Sequence, residues 1–321
     1  MRPSLLKIAA CLALLVTASA AQASGWNKTR DYAMQLRERG AAEQAYAMVA
    51  QATVQSNTQQ TDREFLAGFL ALRALGRADV ANGHFQKMAL STAYLKGKEQ
   101  NEARSTAGYW LARTLQIQGK AQESRALYEA AALYRDTFYG LLAASQIGLA
   151  NTPTAVAGLA GNYPKPELFW HDPRMKKELV LAIIKNESSF RPAVRSHAGA
   201  MGAMQLMPGT VNRIARQAGV ALDHRMVASN FDYNVVIGSK HFGDLLAEYN
   251  GNIMLSAAAY NAGGGRANEW MRRFGDPRGG QIDVVDWIEL IPFRETRLYV
   301  KKVVATYVTY MALGTQQAQT R

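Results

Sequence analysis

Glu187 closes an apolar helical run, "KELVLAIIKNESSF", that begins at Lys177. Val180, Ile183, Ile184 and Glu187 recur at i, i+3, i+4 and i+7, which is the spacing of one helix face. A carboxyl group set among core side chains has its charged form disfavoured, so its pKa rises. Such a group holds its proton near neutral pH and can give it away, as a general acid must. The same spacing also allows a last-turn glutamate that curls out to water. The next segment, Gly199-Ala200-Met201-Gly202-Ala203-Met204-Gln205, is a loop of mostly small residues. Glycines there permit positive φ and a close approach to backbone. The pattern is neither GxGxxG nor a P-loop with its lysine. A flat substrate lying against backbone fits it better than a phosphate.

Two later stretches carry further candidates. "SAAAYNAGGGR" (Ser256 to Arg266) joins a small-residue helix to a Tyr-Asn pair and a glycine turn. Tyr260 there is either a groove residue or a core aromatic with its hydroxyl at the rim. "PFRETRLYVKKV" starts at Pro292 and carries Glu295, which alone would also read as a surface partner of Arg294 or Lys302. Pro208 and Pro292 both suit helix starts, the first of a helix ending near Gly219. His84, His171, His197, His224 and His241 show no HExxH or comparable ligand spacing, so neither a metal nor another cofactor is expected.

These candidates need elements to hold them, and the elements read as all-α. The chain of 321 residues suggests two domains, and 48% hydrophobic content is enough to build real cores. From Trp26 to Gly148 the composition is helical and strand-like alternation is missing. "LAGFLALRALGRADVANGHFQKMA" from Leu66 and "TAGYWLARTLQIQGKAQESRALYEAA" from Thr106 resemble each other. Each has Ala-Gly-aromatic, a helical run, a glycine turn (Gly76, Gly119) and a second helix with an aromatic (Phe85, Tyr128). The pattern predicts an α-superhelical domain of stacked, tetratricopeptide-like hairpins, with a non-repetitive bundle as the alternative. Pro153, Pro164, Pro166 and Pro173 break the helical pattern. Helical periodicity then returns from about Lys176 to Leu313, with glycine turns at 199–202, 263–265 and 275–280.

The first 23 residues read as a signal peptide, with Arg2 and Lys7, an apolar stretch from Ile8 to Val16, and a cleavage site after Ala23. A lipoprotein anchor on Cys11, the only cysteine, is the rival reading. The expected organisation is therefore 1–23 signal peptide, 24–165 helical repeats and 166–321 a second helical domain that carries the candidates, in an exported chain. No stable membrane insertion is expected, because the leader is too short to span. A formal charge of +12 favours an anionic partner, yet no nucleic-acid motif or basic arm is present. Protein partners are not legible.

At these residues the chain resembles the peptidoglycan lytic transglycosylases of the soluble Slt type. The first motif is Glu187-Ser188, Ser196, Gly199-Ala200-Met201-Gly202, Met204-Gln205 and Met207-Pro208-Gly209-Thr210. Ala259-Tyr260-Asn261-Ala262-Gly263 is the second, and Glu295-Thr296-Arg297-Leu298-Tyr299-Val300 the third. The resemblance extends to "AGYWLAR" and "TFYGLLAA", although the N-terminal region looks shorter than in the large ring-shaped members. It implies a lysozyme-like helical catalytic domain with Glu187 as acid and base. It implies that Ser196, Gln205, Met207, Tyr260 and Asn261 line the groove and that Glu295 contacts the sugar. His241 stands where the family usually has tyrosine; it can bond and stack on sugar, alter pH dependence, or only fill the wall. The implied reaction cleaves the bond between MurNAc and GlcNAc without water and leaves a 1,6-anhydroMurNAc end. Ordinary glycosidases use two carboxyl groups, and Asp244 or Glu295 remains open as a second one. A water-using hydrolase of the same fold and a non-catalytic glycan-binding scaffold are the alternatives.

Overall fold

The computed structural model describes residues 25–149, 167–168 and 170–319. The proposed signal peptide and the expected boundary at 165/166 lie outside the described residues. The chain divides into two compact units, 1–150 and 151–321. Fifteen α-helices and no strand are present among the described residues, so the fold is all-α. None of these helices is long and apolar enough to cross a membrane.

The first unit contains α1 (Trp26–Glu38), α2 (Ala42–Gln51), α3 (Asn57–Arg73), α4 (Ala78–Ser91), α5 (Gly97–Ile117), α6 (Ala121–Ala131) and α7 (Phe138–Gln146). The helices pack mainly on their neighbours in sequence, as in a stacked array of hairpins, and α7 packs on both α5 and α6. The two matching segments form the pairs α3–α4 and α5–α6. Their shared Ala-Gly-aromatic motif has a packing cause. A Cβ on Gly68 would lie 2.7 Å from the Phe85 ring, so the glycine lets α3 close on α4. Gly108 plays the same part in the second pair, where a Cβ would come within 3.0 Å of the Ala131 Cβ. The aromatics then fill the joint: Trp110, fully buried, is stacked on Phe85 and meets Phe69 edge-on. One polar chain is buried beside this core, with His84 bridging Glu64 Oε2 at 2.7 Å and Tyr46 Oη at 3.0 Å.

The second unit contains α8 (Lys177–Ser188), α9 (Pro208–Ala218), α10 (His224–Ser229), α11 (Phe231–Glu248), α12 (Ile253–Ala262), α13 (Gly264–Phe274), α14 (Val284–Leu290) and α15 (Arg294–Gln319). The long α15 packs against both α8 and α12, and so brings the three motifs to one place. α9 begins at Pro208 and ends with Gly219 in the left-handed region, as the sequence predicts. Two expectations need correction. The turn at 263–265 is confined to Gly263, because Gly264 already starts α13. Pro292 does not open a helix: Phe293 caps α15 by accepting the Arg297 amide at 3.0 Å. The Ile291 carbonyl is diverted to the Arg297 guanidinium instead.

Candidate active site

Glu187 occupies the last turn of α8, on the face carrying the fully buried Val180, Ile183 and Ile184. Part of its surface stays open to solvent, although protein crowds the carboxyl on most sides. Burial pushes its pKa up to about 7, the nearby Tyr299 hydroxyl acts against the rise, and the Glu295 charge adds to it. The helix stops one residue later. Ser189 and Phe190 both take positive φ, 52° and 66°, which side-chain-bearing residues adopt only at a cost of about 1–3 kcal/mol each. That turn lifts the chain off the helix axis directly behind the carboxyl and starts the loop.

The loop at 194–206 is a tight backbone structure with a buried support. Met201 pairs with Leu206 through bonds of 3.0 and 2.9 Å, and the Gly202 amide donates to the Val194 carbonyl at 2.9 Å. Asn234, fully buried on α11, anchors the turn. Its amide nitrogen donates to the Met201 and Val227 carbonyls at 3.0 and 2.8 Å, and its oxygen accepts from the Met204 amide at 2.7 Å. Gly202 has φ +74°, and a Cβ there would fall 2.2 Å from the Asn234 amide, so only glycine fits. The small residues therefore serve packing onto α11 as well as any approach of substrate.

Each predicted groove residue on this loop has a definite place. Ser196 is exposed, and its Oγ accepts from the Ala200 amide at 2.9 Å. Gln205 takes φ +48° and donates to the Val194 and Gly202 carbonyls, each at 2.9 Å, so its amide nitrogen is committed to the loop. Met207 is exposed at the cap of α9. Tyr260 on α12 donates to the Met204 carbonyl at 2.7 Å, which ties the second motif to the first. Asn261 accepts from the Thr296 hydroxyl at 2.7 Å, which ties the second to the third. Burial raises the pKa of Tyr260 and of Tyr299 well above the ordinary phenol value, and the Glu187 charge adds to both shifts. Both therefore remain protonated. The Tyr299 hydroxyl is fully enclosed and meets no partner in well-formed hydrogen-bond geometry, yet it lies close enough to the Glu187 carboxyl to lower its pKa by a weak hydrogen bond.

The two open questions about acids and histidine have structural answers. Asp244 accepts from Arg174 at 2.8 Å and from Lys240 at 3.1 Å. Burial opposes its ionisation, but these two cations hold its carboxyl below the usual range. It is a fixed anion in an ion-pair cluster. Glu295 is exposed in the first turn of α15 and is the acid whose charge reaches Glu187. His241 is buried, its ring 5.2 Å from that of Tyr260 and its Nδ1 3.0 Å from an Arg213 nitrogen. Burial and then the Arg213 charge push the imidazole down to about 4, so it does not titrate near neutrality. A guanidinium only donates, so His241 Nδ1 accepts and Nε2 carries the proton.

Sequence reasoning missed Asn234 and Arg213, and it gave Tyr299 only as a member of the third motif, without its place beside Glu187. A signal existed for the first. Asn234, Gly238 and His241 lie at i, i+4 and i+7, one polar and small face on α11, and that face meets the loop and Tyr260.

Residues 171–281 match the family model described as the transglycosylase SLT domain. The soluble lytic murein transglycosylase of Salmonella typhimurium is 35% identical over 133 residues, which is 41% of this chain and 20% of the relative. That of Escherichia coli K12 is 37% identical over 128 residues, 39% of this chain and 19% of the relative. The chain thus matches about a fifth of the length of these curated relatives. Among solved structures, an inactive Glu-to-Gln mutant of the lytic transglycosylase Slt from Pseudomonas aeruginosa superposes with a TM-score of 0.65 at 26% identity. That likeness covers 91% of this chain and 57% of the other.

Proposed function

We propose that this chain, whose residues 171–281 match the transglycosylase SLT domain model, cleaves peptidoglycan glycan strands without water, in remodelling or turnover of the cell wall. Glu187 is the acid and then the base. It gives its proton to the oxygen between MurNAc and GlcNAc, and the bond to C1 breaks. The resulting carboxylate takes the proton of the MurNAc C6 hydroxyl, whose oxygen closes on C1. One proton leaves Glu187 and one returns, so no water is consumed.

The observation that carries this reading is a single partly open carboxyl with its pKa near 7. A group titrating there is a competent donor and a competent acceptor in turn. Tyr260 and Tyr299 supply neutral walls, and His241 supplies an uncharged ring beside them. Ser196, Gln205, Met207, Tyr260, Asn261 and Glu295 are the proposed glycan contacts. Glu295 keeps the charge near Glu187 negative, which favours the protonated acid before substrate arrives. The net positive charge, +12 for the full sequence and still strongly positive without Arg2 and Lys7 of the proposed leader, draws the chain toward wall polymer bearing carboxylates. Export through the proposed leader, with cleavage near Ala23, would place the enzyme in the periplasm with its substrate.

The test is digestion of purified peptidoglycan with mass spectrometry of the products. The proposal expects 1,6-anhydroMurNAc ends from the native chain and none from Glu187→Gln. Reducing ends would favour the hydrolase, and near-native activity of Glu187→Gln would end the assignment.

A further inference from the structure

Glu289 is a buried carboxyl outside the three motifs, and the proposed chemistry does not touch it. It lies in the last turn of α14, between the buried Ile288 and Leu290. Lys301 bonds its Oε1, and Arg297 Nε stands 3.9 Å from its Oε2. All three side chains are withdrawn from water, Glu289 to 2%, Arg297 to 6% and Lys301 to 16% exposure. An enclosed ion cluster adds little net stability over apolar side chains of the same size. What it does fix is geometry, because each cation must meet the carboxylate to offset its lost hydration.

Its place in the fold connects it to Glu187. Both cations belong to α15 and stand four residues apart, one above the other on a single face. Glu295 and Tyr299 are likewise four apart, each two residues ahead of a cation. Two residues turn a helix by about 200°, so this second pair occupies the opposite face. That face reaches the candidate acid: the Tyr299 hydroxyl and the Glu295 charge both act on the Glu187 carboxyl. Arg297 also donates to the Ile291 carbonyl, so the cluster grips the connection from α14 as well as the helix. The Thr296 bond to Asn261 gives the start of α15 one point of attachment. The Glu289 cluster gives it a second, on another side.

We propose that Glu289 is a positioning residue: by gathering Lys301 and Arg297 it sets the rotation of α15, and so holds Tyr299 and Glu295 against the Glu187 carboxyl. The inference rests on the reading of Glu187 as the acid and base given above.

The experiment records pH profiles of kcat/KM for formation of anhydro ends from soluble glycan strands. It compares the native chain, Glu289→Gln and Lys301→Met, each also combined with Tyr299→Phe. Both single variants should lose about tenfold in kcat, since a small misplacement beside the reacting group is enough for that. Both should move the alkaline limb up, because the Tyr299 hydroxyl that lowers the Glu187 pKa withdraws. Retreat of the Glu295 charge acts the other way and is the smaller effect. Losing the Glu289 charge would by itself favour the Glu187 carboxylate and move the limb down, so an upward move marks displacement. In the Tyr299→Phe background neither variant should shift the limb further. A limb that stays or falls in Glu289→Gln, or a shift that persists without the Tyr299 hydroxyl, would overturn the inference. Thermal melting shows whether each variant folds. If Glu289→Gln does not, Lys301→Met decides alone: an unmoved limb, or an equal shift with and without the Tyr299 hydroxyl, counts against the inference. A native chain that forms no anhydro ends would instead refute the proposed function, and this inference with it.

Discussion

Replacing Glu187 by glutamine should stabilise the protein at alkaline pH, by an amount that vanishes in acid. The folded carboxyl has its pKa raised from 4.5 to about 7 by burial. At a pH below 4.5 both folded and unfolded chains carry it protonated, and folding bears no electrostatic penalty. As pH rises from 4.5 to about 7 the unfolded carboxyl ionises while the folded one keeps its proton, so wild-type stability falls and then levels off. Each pKa unit is worth about 1.4 kcal/mol, which sets a ceiling of about 3 kcal/mol. The group keeps some solvent contact, and screening reduces this to about 2 kcal/mol. Glutamine does not titrate and keeps the shape of the protonated acid. Thermal melts of the full chain and of Glu187→Gln from about pH 4 to about pH 8 read the difference directly. The variant should match the wild type in acid and melt about 4–8 °C higher at the alkaline end, in the transition of the second unit. A gap that does not change with pH, or a wild type more stable at pH 8, would refute a buried high-pKa glutamate.

Tyr299→Phe removes an enclosed hydroxyl without a well-formed bond, so melting should hold steady or rise slightly; activity should fall and the alkaline limb of its pH profile should move up, because the hydroxyl that lowers the Glu187 pKa is gone. Asn234→Ala breaks three bonds to backbone and should cost about 2–4 kcal/mol by denaturant unfolding, with a larger loss of activity than of helix content. Gly68→Ala drives a methyl into Phe85 and should lower the melting of the first unit by about 1–3 kcal/mol while sparing that of the second.

Much of the architecture was legible because it depends on periodicity. The Ala-Gly-aromatic repeats predicted hairpins, and Gly68 and Gly108 show why the motif recurs: both are close contacts between paired helices. Glu187 on its apolar face was legible for the same reason, since i, i+3, i+4, i+7 fixes direction on a helix. Pairing across the chain was not. The spacing of Asn234, Gly238 and His241 in "NVVIGSKH" marks a polar and small helix face, but not that Asn234 will hold a loop 30 residues earlier in sequence. Nor could the sequence say that Arg213 would sit on His241 and keep it neutral; an isolated histidine titrates near 6.5, and only burial with an adjacent cation moves it to about 4. Pro292 misled because a proline before a helical pattern suits the first turn, whereas here the Arg297 side chain takes the preceding carbonyl and delays the helix.

In the proposed mechanism one carboxyl, Glu187, completes the reaction with the sugar's own hydroxyl rather than with water. Digestion of peptidoglycan in water enriched in heavy oxygen tests it most directly. The expected products are 1,6-anhydroMurNAc ends that carry no label, formed by the wild type and absent with Glu187→Gln. Reducing MurNAc ends carrying heavy oxygen at C1 would contradict it.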